Sequence, residues 1–311
     1  MKVLFLHDCA GVSLVLRDEL RKLGHEADLF FFAEQPDLYL KYGGAWTPKQ
    51  GSALALFVFR KILEDYDVIH TYSTRFPRHP LPYDFLLAKL ARKKVAVHFH
   101  GDDLRLFPCR SQRLLFKNKV LLVSTPDLIG WCPKAEWLPN PVYPELFHPS
   151  NNESHDELRI LHSSTVPKIK GTEYLVKAVA NLRKKGYDID LKIVGKCGSL
   201  VSHEEMPKLF GWCDIVVNEL LRPIHSLIGI EAMYCNKPVM SNLNLATWHR
   251  LGLEPPPIIN VSAATIQKDL EFWFHYPDEL HDSTNMGRKW ATRHHDPERV
   301  VTKLLEIYEN A

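Results

Sequence analysis

Short apolar runs alternate along the chain with stretches whose apolar positions recur every three to four residues. KVLFLH (2–7) predicts a buried strand. In LVLRDELRKLG the apolar Leu14, Leu16, Leu20 and Leu23 predict a helix that Gly24 stops, with Asp8 or Ser13 able to cap its start. ADLFFF (27–32) predicts the next strand, so a βαβ unit is complete within 32 residues. The rhythm continues through a helix over 53–66, a strand over 67–73, a helix in FLLAKLARK and a strand over 94–102. KVLLVSTPDL and AEWLPNPV extend it, predicting a doubly wound α/β domain over residues 1–148.

The polar stretch HPSNNESHDE has no apolar period and marks a linker, placed at 149–157. The alternation then restarts. Strands are predicted at 158–164, 191–195, 214–220, in KPVMSN and at 256–261, and helices over 170–186, in MPKLFGWC, in GIEAMYCN and over 264–276. These define a second Rossmann-like domain over 158–290 and a terminal helical segment over 291–311, whose amphipathic part is 297–310. The fold class is α/β, with two doubly wound domains expected to face each other across a cleft.

Bulk properties narrow the function. At 311 residues the chain has room for roughly two domains of ~150 residues. A net charge of +2 gives no global field for nucleic acid. The six cysteines contain no C-x-x-C pair and no zinc spacing, so free thiols are expected. The first apolar run is too short for a signal peptide, and no run of ~18 apolar residues predicts a membrane span. ALALFVFRKIL (53–63) mixes apolar, aromatic and basic residues, which fits either an interfacial helix or a core-facing helix with a charged end.

Ligands of open parallel sheets bind at the carboxyl ends of strands, so the strand ends are where chemistry is expected. In HDCAGVS, Gly11 before a helix suits either close approach of an anion or an ordinary tight turn. In VHFHGDDLR, Asp102 or Asp103 suits a helix cap, while His100 at the strand tip suits a cleft. Lys168 and Lys170 stand before a helix at the end of a strand, where cations and helix amides together hold phosphate. Glu231 lies one turn into a helix. There it either complements the dipole or accepts hydrogen bonds from a ribose diol.

KIKGTEYLVKAV, LKIVG, DIVVNEL and IEAMYCNKPVMSN, in that order, resemble the retaining GT-B glycosyltransferases of the family 4-like group, as do HFHGDDLR, STPDL and WLPNPV in the first half. The resemblance spans most of the chain. It implies a nucleotide-diphosphate sugar bound mainly by the C-terminal domain and an acceptor on the N-terminal domain, with the C-terminal helix crossing back to the latter. It further implies Glu231 on the donor ribose, Lys170 on the diphosphate, His100 beside the donor sugar, Gly11 near the phosphates, and no metal or other cofactor. Lys168, Gly195, Ser226 and Leu227 complete the implied donor site.

The sequence departs from that pattern in one loop. The group's carboxylate eight residues before the Glu231 equivalent is replaced by Pro223, followed by Ile224, His225 and Ser226. The group's Arg before the cationic Lys is also absent, with Thr165, Val166 and Pro167 in its place. Glu219 is the acid that could substitute and Lys168 the cation.

Three functions follow. The first is a retaining glycosyltransferase acting on a glycan, lipid-linked or small-molecule acceptor, cytoplasmic and in possible peripheral contact with a membrane. The second is a GT-B-shaped binding subunit without catalysis, and the third a nucleotide-sugar epimerase.

Overall fold

The computed structural model describes residues 1–8, 10–30, 60, 66–72, 93–105, 119–150, 155–195, 198–199, 201–282 and 284–310. The helices expected over 53–66 and in FLLAKLARK, the interfacial stretch 53–63 apart from Arg60, and the loops 33–52 and 74–82 lie outside these residues. The chain divides into two compact units, Met1–Pro141 with Pro297–Ala311, and Val142–Asp296.

The first unit is built on a parallel sheet of β1 (Lys2–Leu6), β2 (Glu26–Phe30), β3 (Val68–Tyr72), β4 (Lys94–Phe99), β5 (Val120–Val123) and β6 (Glu136–Trp137), in the order β2-β1-β3-β4-β5-β6. Parallel strands are covered on both faces, which is why β1 and β4 read as nearly continuous apolar runs. Helix Val12–Lys22 buries Leu14, Leu16 and Leu20 against the sheet.

The terminal helix Pro297–Glu309 belongs to this unit, as the sequence led us to expect. Its Val300, Val301, Leu304 and Tyr308 enter the same core as Val3, Phe5 and Leu16, each burial worth about 1.5–3 kcal/mol. The helix before it, Thr284–His295, stops at Asp296. Pro297 has no amide hydrogen to continue that helix and disfavours helical angles in the residue before it.

The second unit has five parallel strands in the order β11-β10-β9-β7-β8: β7 (Leu158–Ser164), β8 (Ile189–Gly195), β9 (Ile215–Val217), β10 (Val239–Ser241) and β11 (Ile259–Asn260). Its core joins Ile160, Leu175, Val179, Leu182, Ile215, Val217 and Met240. Helices Leu245–Arg250, Pro277–Asp282 and Thr284–His295 were not read from the sequence. The first was signalled, because Asn244 caps it by accepting the Thr247 amide at 3.3 Å.

Cys132, Cys213 and Cys235 are buried free thiols; Cys9, Cys109 and Cys197 lie outside the described residues. Among the described residues no helix is long and apolar enough to cross a membrane.

Gly195 closes β8 at φ +102, where a Cβ would stand 2.2 Å from the Ser164 carbonyl oxygen. The β7–β8 register, which sets Ser164 opposite Gly195, leaves no room for a side chain. Gly195→Ala is therefore expected to cost about 2–4 kcal/mol from the positive φ and the collision together, read as a lower urea midpoint. An unchanged midpoint would remove this account of the glycine.

Candidate functional site

The carboxyl ends of β7, β9 and β10 gather most of the polar groups singled out in the second half of the sequence. A short helix, Pro167–Lys170, follows β7 and is ended by Gly171 at φ +79. This brings the Lys170 ammonium back over the sheet edge. Nζ lies 3.1 Å from the Ser163 carbonyl, 3.4 Å from Asn218 Oδ1 and 3.5 Å from Glu219 Oε1. The Lys170 carbonyl accepts the Leu220 amide at 3.1 Å, tying this turn to the segment after β9. Glu219, the acid suggested as a substitute, is buried and stands beside the cation. Lys168 is exposed on the same turn.

The loop that departs from the family pattern has a structural explanation. His225 turns inward and packs between Trp248, Trp290 and His295, with ring centroids 5.0, 6.0 and 6.0 Å away. Burial, with a smaller contribution from His294, lowers its pKa to about 3, so it is a neutral core residue. Pro223 is exposed. Ser226 precedes helix Leu227–Tyr234, and its Oγ sits 2.8 Å from Asn218 Nδ2 and 3.0 Å from Asn218 Oδ1. Asn218 thus joins Ser226 to Lys170. The amides of Leu227 and Ile228 open the helix and have no carbonyl within it to bond.

Glu231 is on the same helix, one turn further in, and only 1% exposed. Its Oε1 receives a hydrogen bond from His203 Nε2 at 2.7 Å. Its Oε2 is buried and has no hydrogen-bond partner among the described residues. A buried carboxylate oxygen without a donor is costly, and a hydroxyl donor would satisfy it.

His203 starts a 3-10 turn that Ser202 and Glu205 close as a capping box. Its ring rests on Phe147 at 5.1 Å. Sequence reasoning missed both His203 and Asn218. The S-x-x-E spacing shows the turn but not which way His203 points. At the opposite, amino end of the same strands is a cavity of about 720 Å³ lined by Asp214, Lys237, Trp273 and Phe274 among others; none of the residues above lines it.

In the first unit, Gly11 holds φ +83 at the start of helix Val12–Lys22. Asp8, not Ser13, supplies the cap, accepting the Gly11 amide at 2.7 Å and the Ser13 amide at 2.6 Å. Near His100, Asp103 accepts the amides of His100 and Gly101 at 3.2 and 2.7 Å, so that acid secures the turn. Arg105 bonds Asp127 at 2.6 Å.

The His100 ring belongs to a row of imidazoles. It lies 4.0 Å from His98, which lies 5.3 Å from His70, whose Nδ1 is 2.5 Å from Tyr308 Oη. Tyr72 packs on His100 at 5.1 Å and on His7 at 5.4 Å. Burial lowers the pKa of His7 to about 4 and of His70 to about 3. Burial, then the neighbouring His70, lowers His100 to about 3 against a small opposing effect of Asn140. His98 is held well below the usual range by burial first and then by His100 and His70.

Comparison with known proteins finds no matching family model and no matching curated protein. Solved structures do match. Sucrose-phosphate synthase from Thermosynechococcus elongatus is 14% identical, with a TM-score of 0.74 over 100% of this chain and 99% of that one. HepE of Anabaena, in complex with UDP-glucose, is 14% identical, with a TM-score of 0.69 over the whole of both chains. An α-glucosyltransferase in complex with UDP and a 13-mer DNA is 12% identical, with a TM-score of 0.70 over 99% of each. At these identities the likeness is one of fold, and the chain has the two parallel-sheet α/β domains of the GT-B architecture.

Proposed function

We propose that the chain is a glycosyltransferase that uses a nucleotide-diphosphate sugar, with retention of configuration and without a metal. The observation that carries this reading is Glu231, a buried carboxylate with one open oxygen, on the helix that Ser226 begins and Asn218 links to Lys170. A ribose diol supplies the donors that Oε2 lacks. The diphosphate then falls to Lys170, Lys168 and the first amides of the Leu227–Tyr234 helix.

As the glycosidic bond breaks, charge grows on the departing diphosphate, and a fixed ammonium stabilises it. Among the described residues the site offers no evident protein nucleophile. Retention is therefore assigned to same-face attack, with the donor phosphate taking the acceptor proton. For His100 the proposed role is a contact to the donor sugar by an uncharged imidazole, and for Gly11 one near the phosphates. The acceptor class is a glycan, a lipid-linked sugar or a small molecule. A cytoplasmic location and peripheral membrane contact belong to the same proposal.

The first test is a thermal-shift screen of wild type and Glu231→Ala against UDP-, GDP-, ADP- and dTDP-sugars. A ligand held about 100-fold above its Kd stabilises the native state by about 2.7 kcal/mol. One nucleotide series is expected to raise the wild-type melting temperature and to leave the variant near its own baseline. Absence of any shift with wild type would count against the donor site.

A second reading, a GT-B-shaped binding subunit, is favoured by one feature. The loop carrying Pro223 and His225 gives its histidine to the core and offers no acid at the expected position. Donor that binds but is neither transferred nor hydrolysed, whatever acceptor is supplied, would support it.

A further inference from the structure

We infer that His203 is a positioning residue of the nucleotide site, holding the Glu231 carboxylate so that Oε2 faces the ribose. This rests on the donor-site reading above. Glu231 is almost fully buried on the helix Leu227–Tyr234, and among the described residues its carboxylate accepts a 2.7 Å bond from His203 Nε2 at Oε1. A carboxylate with one donor on one oxygen is fixed in rotation about its terminal bond. Without that donor the group can swing either oxygen forward or fold back. A hydrogen bond to an ionised group is among the stronger ones, enough to select one orientation.

His203 is itself held. The capping box of Ser202 and Glu205 fixes its backbone, with Glu205 accepting the Ser202 amide at 3.1 Å and the Ser202 hydroxyl at 2.9 Å. Phe147 packs on the ring at 5.1 Å. The imidazole thus reaches Glu231 from a rigid turn 28 residues away in sequence. Because Nε2 donates to Oε1, Oε2 keeps its capacity to accept from a ribose hydroxyl. An Arg or Lys at this place would pair with the carboxylate fully and compete with the ligand.

The test is a binding cycle by calorimetry. Wild type, His203→Ala, His203→Gln and Glu231→Gln are titrated with UDP, GDP and ADP and with the 2′,3′-dideoxy form of whichever binds. For the ribonucleotide, His203→Ala is expected to weaken binding about 10- to 100-fold, by the loss of one charge-assisted hydrogen bond. His203→Gln, which restores an N–H donor, is expected to recover affinity to within about 5-fold. The dideoxy nucleotide lacks the hydroxyls that Glu231 would receive, so its affinity is expected to be nearly the same in wild type and His203→Ala. That difference separates positioning from general damage to the fold. Equal losses for the ribo and dideoxy forms would overturn the inference. So would a loss in Glu231→Gln with none in His203→Ala, which would leave the donor site standing. If wild type binds none of the three nucleotides and shows no thermal shift with any of the four nucleotide sugars, the donor-site reading fails and this inference fails with it.

Discussion

Replacing Lys170 by alanine is expected to lower turnover of the donor sugar by about 10²- to 10³-fold, the usual cost of removing one group aimed at developing charge. The ammonium is held by the Ser163 carbonyl, Asn218 Oδ1 and Glu219 Oε1, a fixed cage on the sheet edge that leaves it partly open to solvent. Ligand charge meets a cation that needs no rearrangement. The variant also removes a neighbour from the buried Glu219 carboxylate, which costs about 1–3 kcal/mol of stability.

The two effects separate in a double variant. Lys170→Ala with Glu219→Gln removes the buried charge together with its neighbour, so the melting temperature recovers while turnover does not. Steady-state kinetics and thermal unfolding of the two variants check this. Full activity in Lys170→Ala would take the residue out of the mechanism. Recovery of activity in the double variant would make the loss one of stability.

The helix carrying Glu231 was legible because a short apolar run stands between a loop and the turn before Lys237 and Pro238. That Lys170 follows one strand and Glu219 ends another was legible. What Lys170 touches was not, because Ser163, Asn218 and Glu219 come from segments about 50 residues apart. His225 shows the same limit. Its place in the sequence is that of a ligand loop, and only its packing on Trp248, Trp290 and His295 turns it into core. His203 sits on a turn that the sequence announces, but its reach to Glu231 depends on how that turn lies over a helix. Gly195 was read as a donor-site glycine; that its bare Cα also answers to the Ser164 carbonyl depends on the β7–β8 register. The row His7, His70, His98 and His100 was invisible for a topological reason. Only the order β1-β3-β4 brings those strand ends side by side.

That row makes the first unit expected to lose stability in mild acid. A histidine whose pKa is lowered on folding takes up its proton first in the unfolded chain. Its stabilising contribution is therefore complete above about pH 6.5 and drains away as pH falls towards the folded value. Here the folded values are about 4 for His7 and about 3 for His70 and His100, with His98 well below the usual range. Near pH 5 these four imidazoles are largely charged when unfolded and neutral when folded. Each then contributes a slope of about 1.4 kcal/mol per pH unit, so the four together approach about 5 kcal/mol per unit.

Asp103, whose carboxyl is pushed up by burial, works in the opposite sense, but as a single group. Among the described residues the second unit has His162 lowered to about 4 and His225 to about 3, and these two give about half that slope. Buried thiols separate the two units. Cys132 reports the first, and Cys213 and Cys235 the second, when urea transitions at pH 7.5, 6.5, 5.5 and 5.0 are followed by labelling with an acid-tolerant disulfide reagent. The Cys132 midpoint is expected to fall steeply between pH 6.5 and 5, and the other two less. His98→Leu should flatten the Cys132 trend by about 1.4 kcal/mol per pH unit, since it removes one proton from the balance and puts an apolar side chain in a buried place. A Cys132 midpoint that stays level down to pH 5 would mean that the row is hydrated, and the neutral imidazole proposed to meet the donor sugar at His100 would lose its basis.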